Sequence, residues 1–112
     1  MTRFRLAMRY ALGSRLGEYQ RILKNALDDG YVVCSVEQSL REIEAGTERL
    51  MVLRHDVDQC SPGVRAMAAM EADFGVTSTY YFRLSTKDPL DLRITQSLGH
   101  EVSLHYETIA DY

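Results

Sequence analysis

Asp56 and Asp58, in the run Leu53-Arg54-His55-Asp56-Val57-Asp58, are the residue types and spacing in this chain best suited to chemistry. His105 joins them, at the end of Gly99-His100-Glu101-Val102-Ser103-Leu104-His105. Both runs read as short β-strands whose carboxyl ends carry metal-ligating or acid/base side chains. Strand side chains alternate faces, so Asp56 and Asp58 share one face about 6–7 Å apart. Two carboxylates on one face with a distant imidazole suit metal-assisted hydrolysis. Zinc accepts imidazole and carboxylate ligands and, in catalytic sites, keeps one position for water. Bound metal lowers the pKa of that water from ~15.7 to about 7, and a nearby carboxylate outside the ligand set can take its proton. On that logic one aspartate binds metal and its neighbour two residues away is the base. The bland alternative is a surface or capping Asp-x-Asp.

These groups need elements to carry them. Tyr19, Ile22, Leu23, Ala26 and Leu27 recur at helical spacing, and Asp28-Asp29-Gly30 ends the pattern. Tyr31 to Cys34 reads as a strand, and Val36 to Ala45 as a helix capped by Ser35 and stopped by Gly46. Arg49 to Asp56 reads as one buried strand. Ser61-Pro62 starts a helix with Val64, Met67, Met70 and Phe74 on its core face, closed by Gly75. Val76 to Leu84 is the longest β-run, Asp88-Pro89 opens a helix with Leu90, Ile94 and Leu98 as its apolar face, and Glu101 to Tyr106 is a last strand.

From residue 49 the order is β-α-β-α-β, which predicts parallel strands joined by crossover helices. Ligands of such folds gather at strand carboxyl ends, where Asp56, Asp58 and His105 fall. Val102, Leu104 and Tyr106 oppose Glu101, Ser103 and His105; Leu53 and Val57 oppose Arg54, Asp56 and Asp58. Each strand therefore offers an apolar face to helices and a polar face to a site. His55 points away from the aspartates and is read as structural. His100, at a strand's start, is read as a packing or hydrogen-bonding residue. Arg54 shares the aspartates' face and is expected to pair with Asp56.

The 112 residues, 46% hydrophobic and 26% charged, suit one small globular domain. A net charge of −3 supplies no basic face for nucleic acid. Cys34 and Cys60 match neither a disulfide framework nor a zinc motif and read as free thiols in a reducing, cytoplasmic setting. No run approaches the ~20 apolar residues of a transmembrane helix. Residues 1–17 carry Arg3, Arg5, Arg9 and Arg15, with Phe4, Met8, Ala11 and Leu12 at helical spacing. They read as a basic N-terminal arm packing on its own domain, with an interfacial anchor or targeting segment as the alternative.

The stretches Arg54-His55-Asp56-Val57-Asp58, Ser61-Pro62, Gly75-Val76-Thr77-Ser78-Thr79-Tyr80-Tyr81-Phe82 and Gly99 to Tyr106 resemble the polysaccharide deacetylase family. It is also called the NodB-homology group or carbohydrate esterase family 4. The likeness is to a bacterial branch associated with surface-polysaccharide biosynthesis, and with the upstream Tyr19…Leu23…Leu27…Gly30-Tyr31 it spans roughly residues 18–110. The resemblance implies an α/β fold, a partial (β/α) barrel in residues 18–112, that removes N-acetyl groups from a carbohydrate with a divalent metal, most plausibly zinc. By position, Asp56 matches the family's base, Asp58 its first metal ligand and His105 the first histidine of its second motif.

Departures from the family pattern are equally specific. Its second metal histidine falls four residues after the first, where this chain has Ile109. Glu107, two residues past His105, is the candidate third ligand, a solvated strand-end glutamate being the alternative. The family's later motifs fall beyond Tyr112, and a (β/α) barrel needs upward of ~200 residues. The expectation is a truncated or split member whose open strand edges call for a homo-oligomer or a partner chain. A non-catalytic deacetylase-like module acting in binding or assembly is the rival from another class. A haloacid-dehalogenase-type phosphotransferase also uses paired aspartates, but Cys60 stands where a small hydroxyl residue is needed and no lysine motif is evident. For a glycosyltransferase Asp-x-Asp, nothing resembles a nucleotide pocket.

Overall fold

The computed structural model describes residues 14–57, 62–83 and 89–105. Helix α1 (Ser14–Asp28) forms where Tyr19, Leu23 and Ala26 recur every three or four residues, and all three are buried. It closes on Gly30 at φ 82°, where Tyr31 N–H bonds Ala26 O at 2.9 Å and Gly30 N–H bonds Leu27 O at 3.1 Å. Only a residue free to adopt positive φ makes that closure cheaply. The helix takes in residues 14–17 of the segment read as an arm; Phe4, Met8, Ala11 and Leu12 lie outside the described residues.

Strand β1 (Val32–Cys34) leads directly into α2 (Val36–Glu44). Ser35 caps that helix in a reciprocal box: Gln38 N–H bonds Ser35 Oγ at 3.2 Å and Ser35 N–H bonds Gln38 Oε1 at 3.3 Å. Cys34 is a buried free thiol whose pKa burial pushes up; Cys60 lies outside the described residues.

The expected single strand from Arg49 to Asp56 is instead two, β2 (Leu50–Val52) and β3 (Arg54–Val57). Between them Leu53 donates its N–H to Cys34 O at 2.8 Å and accepts Thr79 N–H on its own carbonyl at 3.0 Å. The N–H and C=O of an extended residue point to the same edge, so β1 and the strand beginning at Thr79 follow one another along one side of the 50–57 run. The run is not buried throughout either, since all three β2 residues are half-exposed.

From there the expected alternation holds: β3, α3 (Pro62–Asp73), β4 (Thr79–Arg83), α4 (Pro89–Ser97) and β5 (Glu101–His105). The three strands pair in parallel and in sequence order, with Asp56 opposite Tyr81 and Tyr81 opposite Ser103. Val76 to Ser78 do not join β4, because Val76 N–H is spent closing α3 on Glu71 O at 3.1 Å.

Helix α4 is rotated from its expected face. Leu90 and Leu98 are exposed, whereas Asp91 and Thr95 are buried. The cause is polar: Asp91 receives the Arg65 guanidinium from α3, and a carboxylate buried without such a partner costs several kcal/mol. The ion pair outweighs the leucine stripe in setting the helix rotation. The core gathers Tyr19, Leu23, Leu53, Val57, Met67, Tyr80 and Phe82 between α1, α3 and the sheet. Among the described residues no helix is long and apolar enough to cross a membrane.

Candidate functional site

Alternation gives the three-stranded sheet two unlike faces. His55, Tyr80 and Val102 form one row of the helix-covered face, and Val57, Phe82 and Leu104 the next. The opposite face carries Arg54, Thr79 and Glu101, then Asp56, Tyr81 and Ser103, then Arg83 opposite His105.

On the covered face sits a polar cluster built around Glu71 of α3, which is wholly buried. Tyr80 donates its hydroxyl to Glu71 Oε1 at 2.6 Å, and Tyr19 of α1 donates to Oε2. His55 Nε2 lies 2.6 Å from Oε2; an ionised carboxylate only accepts, so Nε2 carries the hydrogen. Burial alone pushes the Glu71 carboxyl up, but the hydrogen bond and charge of His55, with the two phenols, outweigh it and hold the carboxyl below its ordinary value. Burial and then the Glu71 charge push both tyrosine hydroxyls well above theirs. His100 adjoins the cluster, its Nε2 3.8 Å from Glu71 Oε1, and its hydrogen bonds go to the backbone: Ser78 N–H donates to Nδ1 at 3.0 Å, and Nε2–H donates to Ala68 O at 2.8 Å. Both histidines are thus interior hydrogen-bonding groups.

Glu71 escaped the sequence reading, though a signal was present. It falls at i+7 from Val64, on the stripe that Met67 and Ala68 share, and all four are buried. A glutamate on the apolar stripe of a helix marks a buried carboxylate that needs donors.

The polar face is closed at its amino end and less covered at its carboxyl end. Glu101 accepts from Ser35 Oγ, from Thr79 Oγ1 at 2.9 Å and from Glu37 N–H at 3.3 Å, so its charge lies on the positive N-terminus of α2. Val36 N–H bonds Thr79 Oγ1 at 2.9 Å on the same side. One row further on, Asp56 is half-exposed and Ser103 exposed. Arg54 Nε stands 3.3 Å from Asp56 Oδ1, the pairing expected from their shared face. The same guanidinium lies over Tyr81, its Cζ 4.5 Å from the ring centroid. An exposed ion pair contributes about 0.2–1 kcal/mol and an exposed cation–π contact about 0.5–1 kcal/mol, so each is weak alone and the two hold Arg54 together.

Of the other candidate residues, His105 ends β5 in register with Arg83, while Asp58 and Glu107 lie outside the described residues. Among the described residues, no three of His, Cys, Asp and Glu come together as a metal-holding group. No family model, curated protein or solved structure matches the chain.

Proposed function

We propose that the open polar face is one side of a metal-dependent deacetylation site acting on an N-acetylated carbohydrate, with Asp56 as general base. The observation that carries this reading is the position of Asp56 on the sheet face opposite the helix-packed side of His55 and Tyr80, held by Arg54 at 3.3 Å. Three parallel strands in sequence order, joined by two crossover helices, are also how a (β/α) barrel begins, which supports the NodB-type architecture.

The donor chemistry of Asp58, His105 and Glu107 (oxygen, nitrogen, oxygen) suits zinc. His105 ends β5, two strands away from the strand that carries Asp56. A divalent cation held there supplies the Lewis acidity that amide hydrolysis needs. Asp56 would take a proton from the attacking water as the water oxygen bonds to the acetamide carbonyl carbon; the C–N bond then breaks, the proton held on Asp56 passes to the leaving nitrogen, and the free amine and acetic acid, which ionises to acetate, are released. Arg54 keeps the carboxylate oriented through that transfer. Among the described residues β3 and β5 are the outer strands of the three-stranded sheet, which favours self-association or a partner chain in a cytoplasmic setting.

One observation favours the second reading, a non-catalytic module. Arg83 stands on β4 in register with His105, so a permanent cation occupies the strand position next to a candidate metal ligand. Zinc stoichiometry and affinity on the 112-residue chain, beside Asp58→Ala and His105→Ala, decide between the two. One tight zinc per chain lost in both variants, with acetate release abolished by Asp56→Ala, is the expected outcome for the deacetylase. Zinc uptake no greater than in the variants sinks the catalytic reading.

A further inference from the structure

We propose that Tyr81 is a positioning residue: its ring seats the Arg54 guanidinium, and the seated guanidinium fixes the Asp56 carboxylate. The inference rests on the reading of Asp56 as the base and assigns a part to a residue that the motif comparison gave no role.

Arg54 and Asp56 lie two residues apart on one strand, about 6–7 Å between Cα atoms, so the long arginine must fold back along β3 to reach its partner. Its side chain is 51% exposed, and an arginine in that setting has many rotamers that point into water instead. Tyr81 removes that freedom. It sits on β4 directly opposite Asp56, and its ring lies 4.5 Å from Arg54 Cζ. The two contacts use different parts of the guanidinium: its central carbon Cζ lies over the ring, while its Nε–H points to Asp56 Oδ1 at 3.3 Å. They therefore reinforce each other, and a lysine, a point charge without a fork, could not make both. The neighbouring Tyr80 shows the contrast. Its hydroxyl is committed to Glu71 inside the core, whereas Tyr81 is half-buried on the site face and engages Arg54 through its ring.

The test compares Tyr81→Phe, which keeps the ring, with Tyr81→Leu, which keeps bulk but loses the π face. Two readouts are taken on the full chain. One is the Arg54 side-chain NMR signals, with ring-current-shifted methylene protons and a slowly exchanging Nε–H as the marks of a seated guanidinium. The other is acetate release from a zinc-loaded sample on an N-acetylglucosamine oligomer. The expected result keeps the Arg54 signals in the wild type and Tyr81→Phe and loses them in Tyr81→Leu. With them, kcat falls roughly tenfold to a hundredfold in Tyr81→Leu while KM stays within about twofold.

Unchanged Arg54 signals in Tyr81→Leu overturn the proposal, as does a Tyr81→Phe variant as impaired as Tyr81→Leu. Should Tyr81→Leu fail to fold, Arg54→Lys replaces it, with the same drop in kcat expected and wild-type turnover counting against the proposal. A wild type that releases no acetate removes the base role of Asp56, and the Arg54 signals then still decide whether Tyr81 seats the guanidinium.

Discussion

His55 Nε2 and Glu71 Oε2 meet at 2.6 Å where neither side chain reaches solvent, tying the strand that carries Asp56 to helix α3. Because β3 alternates, the residue that anchors it from behind is the immediate neighbour of the candidate base in front. Replacing Glu71 with alanine takes from two phenols and an imidazole the buried carboxylate they share. The expected loss is about 3–5 kcal/mol, large for a small domain. Glu71→Gln, which keeps one acceptor and most of the volume, should lose less, about 1–3 kcal/mol. Urea midpoints of the two variants check the order, and equal midpoints would contradict the network as drawn.

Acid should weaken the fold through this same carboxylate. Its folded pKa is held below the unfolded value of about 4.3, so its contribution is complete above that value and is lost as pH falls through the folded pKa. Unfolding followed from neutral pH into the acid range should show a decline below about pH 4 that Glu71→Gln flattens.

Alkali acts in the opposite sense on Tyr19 and Tyr80. Their pKa values are raised by burial and by Glu71, so the stability they contribute is complete below about pH 10 and falls as pH climbs past it. Tyr19→Phe lowers stability at neutral pH, by removing a donor to Glu71, yet its alkaline decline should be shallower than that of the wild type, with only Tyr80 left to drive it. An unaltered alkaline limb would show that Tyr19 ionises without unfolding.

The Arg65–Asp91 pair should be worth less than the Glu71 cluster, despite equal burial of its acid. Arg65 is 40% exposed, so Asp91→Ala lets the guanidinium return to water, at a cost of about 1 kcal/mol. Asp91→Leu should come close to neutral, and thermal unfolding of the pair of variants measures both.

Ser35 joins two functions at one atom, capping α2 and holding Glu101. Its replacement by alanine should cost about 1–2 kcal/mol, the upper part of the range for a lost N-cap, because Glu101 loses a donor as well. A double-mutant cycle with Glu101→Gln should return a coupling of about 0.5 kcal/mol or more.

Local chemistry made much of the fold legible in the sequence. Ser35 as a helix cap, Gly30 as a helix stop and the Val64–Met67 stripe act within a few residues of themselves, so they read correctly before any tertiary contact is known. Period-two alternation likewise separated His55 from Asp56 and paired Arg54 with Asp56. The rotation of α4 was not legible, because Leu90, Ile94 and Leu98 make a good apolar stripe by themselves and only Arg65, on another helix, outbids it. Nor could the break at Leu53 be read, since it records which partner strand lies alongside, β1 or β4.

The sequence by itself determined the succession of strands and helices and the side of β3 on which Asp56 emerges, because caps, turns and side-chain alternation are properties of neighbouring residues. Only the tertiary structure decided that Glu71 pairs with His55, Tyr19 and Tyr80, that Tyr81 lies under Arg54, and that Glu101 is drawn onto the start of α2. Those contacts join residues far apart in the chain, and strand register and helix rotation, set by the packing of the whole sheet, bring them together.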